Sequence, residues 1–254
     1  MRTCLSYGLY KNLLQNFHQS NESGRLFEIG STFWLRPDKS YGENQHLSLV
    51  AWGREENLWT KDLKTPLVFE LKAALENILS NLQISAYSWQ TPSDRGEVPA
   101  FIHRGQFAQL MVDGKKIGFI GSLHPAYLDE DKVRVPAALA EIDLEILLQH
   151  QSSSYRIESI SKMPVVQRDF AFVMPKHLKV GEVVKEIKKL VGPLLLRTEI
   201  FDLYEGDKLE PGQKSVAFRI FVQEKNGTLQ ENQLVDLQNK VIDGLKTQFD
   251  LTIR

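Results

Sequence analysis

From residue 160 onward the apolar positions switch between two spacings. Phe170, Phe172 and Met174 alternate with Asp169, Ala171 and Val173, the period of a half-buried strand. Val180, Val183, Val184, Ile187, Leu190 and Val191 then share one face of a helix, and Gly192-Pro193 stops it. Leu195–Tyr204 and Lys214–Val222 read as a second and third strand, with Lys225-Asn226-Gly227 turning the chain. Thr228-Leu229-Gln230-Glu231 fits a capping box, in which the Thr228 hydroxyl accepts from one amide at the helix start and Glu231 from another. The helix that follows aligns Leu234, Leu237, Val241, Leu245 and Phe249, and Leu251–Arg254 closes as a short strand. Strand, helix, strand, strand, helix, strand is the ferredoxin-like order, a four-stranded antiparallel sheet with both helices on one side.

Alternation assigns the two sheet faces. Phe170, Phe172, Phe201, Leu203, Val216, Phe218, Ile220, Leu251 and Ile253 are expected toward the helices. Ala171, Val173, Thr198, Asp202, Tyr204, Ser215, Ala217, Arg219, Phe221, Thr252 and Arg254 are expected on the open side.

The first 150 residues mix the same periods in another order. Leu5, Leu9, Leu13 and Phe17 recur every fourth residue and predict an amphipathic helix, closed by a turn at Asn21–Gly24. Arg25–Gly30 and Thr32–Leu35 read as strand, Arg36–Gln45 as loop and His46–Trp52 as strand. Thr65-Pro66 opens a helix whose apolar face is Leu71, Leu75, Ile78, Leu79 and Leu82. A weaker strand near Ile84–Trp89 precedes a loop over Thr91–Gly105. Phe107–Val112 and Lys115–Leu123 then flank Asp113-Gly114, a dipeptide suited to a two-residue hairpin because both turn residues take φ > 0. Ala138–Asp143 is a last strand, running into a short helix through Leu148. The class is α+β with a largely antiparallel sheet. A linker over residues 149–159 separates a domain at 1–150 from one at 160–254.

Composition narrows the setting. The 254 residues are 42% hydrophobic and 25% charged, as in a globular protein. No apolar run is long enough for a bilayer, Met1–Leu14 lacks the apolar core of a signal peptide, and the single cysteine, Cys4, excludes an internal disulfide framework. A cytoplasmic protein without a membrane partner is expected. The net charge of −1 means that any nucleic acid is held by placed side chains rather than by a broad basic field.

No Gly-rich phosphate loop, nucleophile elbow, HExxH or zinc-spaced Cys/His pair is present, and no metal site is expected in this chain. His103 and His124 lie near turns and read as structural hydrogen-bonders rather than catalysts. Asp129-Glu130-Asp131 reads as a solvated charge run rather than a cation site. By themselves these 150 residues specify no reaction.

The open side of the second domain carries more chemistry. Tyr204 and Phe221 offer stacking surfaces, Asp202 and Ser215 can hydrogen-bond a base edge, and Arg219 and Arg254 can meet phosphate or stack. Ala171 and Ala217 leave room for something flat. That set suits unpaired RNA. It also suits a contact in which Val173, Ala217 and Phe221 lie under a neighbouring domain. The topology also hosts amino-acid sensors, but Pro175-Lys176-His177 lacks the glycine-bearing turn such a pocket uses.

Met1-Arg2-Thr3-Cys4-Leu5, Gly8-Leu9, Arg25-Leu26-Phe27-Glu28-Ile29-Gly30 and Gly114-Lys115-Lys116-Ile117-Gly118-Phe119-Ile120-Gly121-Ser122-Leu123-His124-Pro125 resemble the synthetase-like core of the bacterial phenylalanyl-tRNA synthetase beta subunit. Pro164, Arg168-Asp169, Ile200–Gly206 and Lys214–Phe218 resemble the ferredoxin-fold anticodon-binding domain that closes that subunit. The resemblance implies a class II synthetase fold without the activity, docked on a catalytic alpha subunit in an α2β2 assembly. It implies tRNA-Phe as the RNA partner, with no DNA. ATP and Mg2+ belong to the holoenzyme, and this chain alone is expected to be inactive.

Active class II domains end a glycine-rich motif in an arginine that grips ATP. The matching place here, Ala138–Glu145, holds carboxylates instead. The family's anticodon contacts carry over to Ala171, Asp202, Tyr204 and Ser215, with Arg219 and Arg254 as further candidates and Tyr204 as the stacking aromatic. Lys208 and Lys214 flank the same edge. Arg104 departs from the family's proline after the histidine. The family's beta subunit is much longer, so the chain is expected to start inside the synthetase-like domain. The upstream editing site and magnesium-associated segment are not credited to it.

Overall fold

The computed structural model describes residues 1–53, 66–92, 94–151, 161–225 and 227–253. Two compact units divide the chain, Met1–Tyr155 and Arg156–Arg254.

The first unit is a six-stranded antiparallel sheet of β1 (Gly24–Leu35), β2 (Tyr41–Trp52), β3 (Tyr87–Gln90), β4 (Ile102–Val112), β5 (Lys115–Leu123) and β6 (Ala137–Asp143), in the order β1-β2-β6-β5-β4-β3. Its helices are α1 (Ser6–His18), α2 (Leu67–Asn81), α3 (Pro125–Glu130) and α4 (Leu144–Gln149). Both faces are covered. On one, α1 seats Leu9 and Leu13 against Val50, Trp52 and Leu139. On the other, Leu71, Leu75 and Leu79 of α2 and Leu147 of α4 pack on Leu47, Leu110, Ala140 and Ile142. The Asp113-Gly114 turn takes φ of 46° and 77°, as a two-residue hairpin between β4 and β5 requires.

Two expected loops are strand. Tyr41–Gln45 belongs to β2 and pairs with Leu35–Ser31 of β1, and β4 already begins at Ile102. These are polar ends of long strands. Ladder hydrogen bonds hold them without an apolar face to announce them. Ile84 is buried but precedes β3, so that strand is shorter than expected. Thr65 and most of the expected linker lie outside the described residues.

The second unit follows the order expected for it: β7 (Val166–Pro175), α5 (Val180–Val191), β8 (Leu195–Tyr204), β9 (Gln213–Val222), α6 (Glu231–Phe249) and β10 (Thr252–Ile253), with sheet order β10-β7-β9-β8. Val183 and Ile187 of α5 and Leu237, Val241 and Leu245 of α6 pack on Phe170, Phe172, Met174, Val216, Phe218 and Ile220. The capping box falls two residues later than Thr228 and Glu231 would place it. Gln230 is the N-cap, and its own amide donates to Gln233 Oε1 at 2.8 Å. A glutamine pair supplies the same reciprocal bonds.

Candidate nucleic-acid interface

The open face of the second sheet is organised in transverse rows fixed by the strand register. Nearest β10 in the chain's fold, Thr252, Val173, Ser215 and Tyr204 stand side by side across four strands. Next come Ala171, Ala217 and Asp202, then Asp169, Arg219 and Glu199, and last Gln167, Phe221 and Arg197. Ala171, Asp202, Tyr204 and Ser215 therefore fall in two adjacent rows. Ser215 and Ala217 are only 4% and 8% exposed although α5 and α6 pack on the opposite side of this sheet. They are short side chains sunk between taller ones, and they make a low floor. Asp202 stands exposed beside it. Gly206 leaves space for the Tyr204 ring, since a Cβ there would stand 2.5 Å from its hydroxyl.

Arg219 is committed within the face. Its Nε and one Nη donate to the Asp169 carboxylate at 2.8 and 2.7 Å, and its guanidinium lies 4.8 Å from the Phe201 ring centroid. The guanidinium's hydrogen bonds hold Asp169 below the usual carboxylate range, and the same contact raises Arg219. Arg219 thus presents a fixed plane rather than a free fork. Lys214 points elsewhere: its Nζ donates to the carbonyls of Lys176 and Leu178 at 3.0 and 2.8 Å, tying β9 to the approach to α5. Arg254 lies outside the described residues.

Two face assignments need correction. Thr198 pairs with Ile220 and lies on the helix side, where its buried hydroxyl finds no hydrogen-bond partner among the described residues. Phe201, expected under the helices, is half-exposed and sits with Arg219 on the open side. Leu203 pairs with Val216 as expected, yet is 58% exposed on the edge strand. The cause is a pair of bulges in β8, at Leu196 and Phe201, each inserting one residue against β9. One insertion reverses alternation. Leu195-Leu196 and Ile200-Phe201 are adjacent apolar pairs, the places where strict alternation already fails in the sequence.

Residues 1–144 match the family model of the phenylalanyl tRNA synthetase beta chain CLM domain, and residues 161–254 match that of the ferredoxin-fold anticodon binding domain. The chain belongs to the phenylalanyl-tRNA synthetase beta chain family.

Curated relatives agree along its whole length. The phenylalanine–tRNA ligase beta subunit of Bdellovibrio bacteriovorus is 57% identical over 254 residues, covering 100% of this chain and 31% of that protein. Those of Fusobacterium nucleatum and Bacillus subtilis are 32% and 30% identical over 259 residues, each covering 100% of this chain and 32% of the relative. The chain therefore spans about a third of the length of the beta subunits it matches. A pyrrolysyl-tRNA synthetase from Desulfitobacterium hafniense overlays on 59% of the chain and 49% of its own at 20% identity, with a TM-score of 0.44.

Two of the carboxylates of Ala138–Glu145, Glu141 and Asp143, already have partners. Glu141 accepts from the backbone amides of Leu5 and Ser6, from the Ser6 hydroxyl, and from His46 Nδ1 at 2.8 Å. It serves as a cap for α1, brought from 136 residues away. Burial pushes the Glu141 carboxyl up, but the bonds from His46, Ser6 and Leu5 outweigh it and hold the group below its ordinary value. Asp143 caps α4 through the Ile146 amide at 2.9 Å and accepts from Asn44 Nδ2 at 2.6 Å. A triphosphate brought here would meet two committed anions. The donor set does not fit ATP.

Sequence reasoning placed Glu141 only among the carboxylates of Ala138–Glu145 and passed over His46, because neither has a local motif; their meaning lies in partners remote along the chain. The two histidines it did single out are engaged locally. His124 Nδ1 accepts from the Ala126 amide at the start of α3, and His103 Nδ1 from the Gly105 amide, both at 3.2 Å. Asp131, placed in a solvated charge run, instead accepts from the Tyr10 hydroxyl. Among the described residues no group of three or more His, Cys, Asp or Glu could hold a metal ion, and no helix is long and apolar enough to cross a membrane.

Proposed function

We propose that this chain is a non-catalytic part of a phenylalanine–tRNA ligase that positions tRNA-Phe, with the anticodon region received on the open face of the second sheet. The observation that carries the reading is the low floor of Ala171, Ala217 and Ser215 beside exposed Asp202 and the Tyr204 ring. A flat base can approach such a floor closely, stack on the tyrosine and offer its edge to the carboxylate. ATP, Mg2+ and phenylalanine belong, on this reading, to the catalytic alpha subunit of an α2β2 cytoplasmic enzyme.

Tyr204→Ala is expected to weaken binding of tRNA-Phe about 5- to 100-fold, the worth of one base stacked on an aromatic ring. Filter binding or anisotropy at fixed salt measures it. Affinity within twofold of wild type would remove Tyr204 from the contact.

The first unit is assigned the docking role. Its edge strand β1 presents Phe27 and Ile29 at 70% and 55% exposure, beside a depression of about 200 Å³ between β1 and α2 lined by Leu26, Leu49 and Leu71. Apolar side chains that open to water on an edge strand suit a permanent partner. Co-expression with a phenylalanyl-tRNA synthetase alpha subunit is expected to yield one co-eluting complex, and separate elution would exclude this role for the chain.

A further inference from the structure

We infer that the far end of the open face is a second base-stacking site, which takes an unpaired nucleotide other than the one stacked on Tyr204. The inference rests on the open-face reading above and extends it to residues that reading does not use. Arg197 and Phe221 are paired across β8 and β9, and the Arg197 guanidinium lies 3.9 Å from the Phe221 ring centroid. Its Nε is held by Glu199 at 2.9 Å, yet the side chain remains 62% exposed. A guanidinium stacked on a ring with one face and fixed by a carboxylate at its edge has its other face available. Nucleobases stack on such planes.

Around this platform lies a depression of about 420 Å³ lined by Val165, Gln167, Leu196, Arg197 and Phe221, within the range of small-ligand sites. The bulge at Leu196 turns that side chain out, and both Leu196 and Val165 are about half-exposed. Gln167, in the same row as Phe221, carries both a donor and an acceptor for a base edge. Apolar walls, a cationic plane and one amide match the needs of a base. A protein surface would instead have to bury the Arg197–Glu199 pair, which costs desolvation.

Continuity supports the assignment. The site lies on the same face as the Tyr204 and Ser215 row, six residues further along β9. At about 3.4 Å per strand residue that is roughly 20 Å, too far for one nucleotide to reach both. The strand of RNA would run across the Arg219–Asp169 row, whose side chains are already paired with each other.

The test uses the full chain and a synthetic anticodon stem-loop of tRNA-Phe, together with versions made abasic at single loop positions. Phe221→Ala removes the ring, and Arg197→Lys keeps the charge but removes the plane. Each is expected to weaken binding about 5- to 100-fold. In each, one abasic position that matters to the wild type ceases to matter, and this position differs from the one coupled to Tyr204. Unchanged affinity in both variants overturns the second site, as does an abasic effect that stays the same at every position. If Tyr204→Ala is silent as well, the open-face reading has failed; if only Phe221 and Arg197 are silent, the second site alone has. Loss of alpha-subunit co-elution with RNA binding intact would make the depression a protein seat and also overturn it.

Discussion

Phe172→Ala should destabilise the carboxy-terminal unit by about 3–5 kcal/mol, the usual cost of a buried phenylalanine cut to alanine. Phe172 is fully buried at the centre of β7. Its ring lies 6.0 Å from that of Phe170, nearly parallel, and 6.3 Å from that of Phe218 on the next strand. Val183, Ile187 and Val241 from both helices belong to the same cluster. The truncation leaves a cavity with rigid sheet on one side and two helices on the other, so little of it can close. Since small domains are stable by only about 5–15 kcal/mol, the loss is a large share of the unit's stability, and the open sheet face behind Phe172 should lose protection with the core. All four tryptophans, at 34, 52, 59 and 89, precede residue 156. Amide exchange across β7 and β9 is therefore the appropriate measurement, and protection close to wild type would contradict the packing described.

Glu141→Leu should cost the first unit about 2–4 kcal/mol, because removing one side of a buried charged network strands its partners. The Leu5 and Ser6 amides at the start of α1 lose their acceptor, and His46 loses the carboxylate beside Nδ1. Helix α1 also loses the negative charge at its amino terminus. Urea unfolding followed by tryptophan fluorescence reads this unit alone, and a midpoint equal to wild type would refute the capping role.

The pH dependence has a definite sign. The folded-state pKa of Glu141 is depressed. Its contribution is therefore fully present above the ordinary glutamate value and is lost as pH falls through the lower, folded one. Wild type and Glu141→Leu should converge in stability in acid, below the ordinary carboxylate range, and differ most near neutrality.

Local chemistry determined a good deal of this protein from sequence alone. The 3.6-residue spacing of Val183, Ile187, Leu237 and Val241 and the alternation of Phe170, Phe172 and Met174 suffice for the ferredoxin-like order, because each pattern is set by neighbours a few residues away. Asp113-Gly114 set a hairpin for the same reason. Ala171, Asp202, Tyr204 and Ser215 came to one face because β7, the end of β8 and β9 each keep period two there.

What the chain could not state was anything that depends on the ladder or on remote partners. Thr198 and Phe201 exchanged sides because β8 bulges twice, and a bulge is a property of a strand against its neighbour. The Arg197–Phe221 platform follows from the same shift, since it puts odd-numbered residues of β8 outward before Phe201 and even-numbered ones after it. Glu141 became a helix cap only when folding delivered Leu5 and Ser6 to it across more than half the chain. Periodicity records which way a residue faces while pairing is regular; where pairing slips, or where a group's partner is remote in sequence, only the packed structure decides.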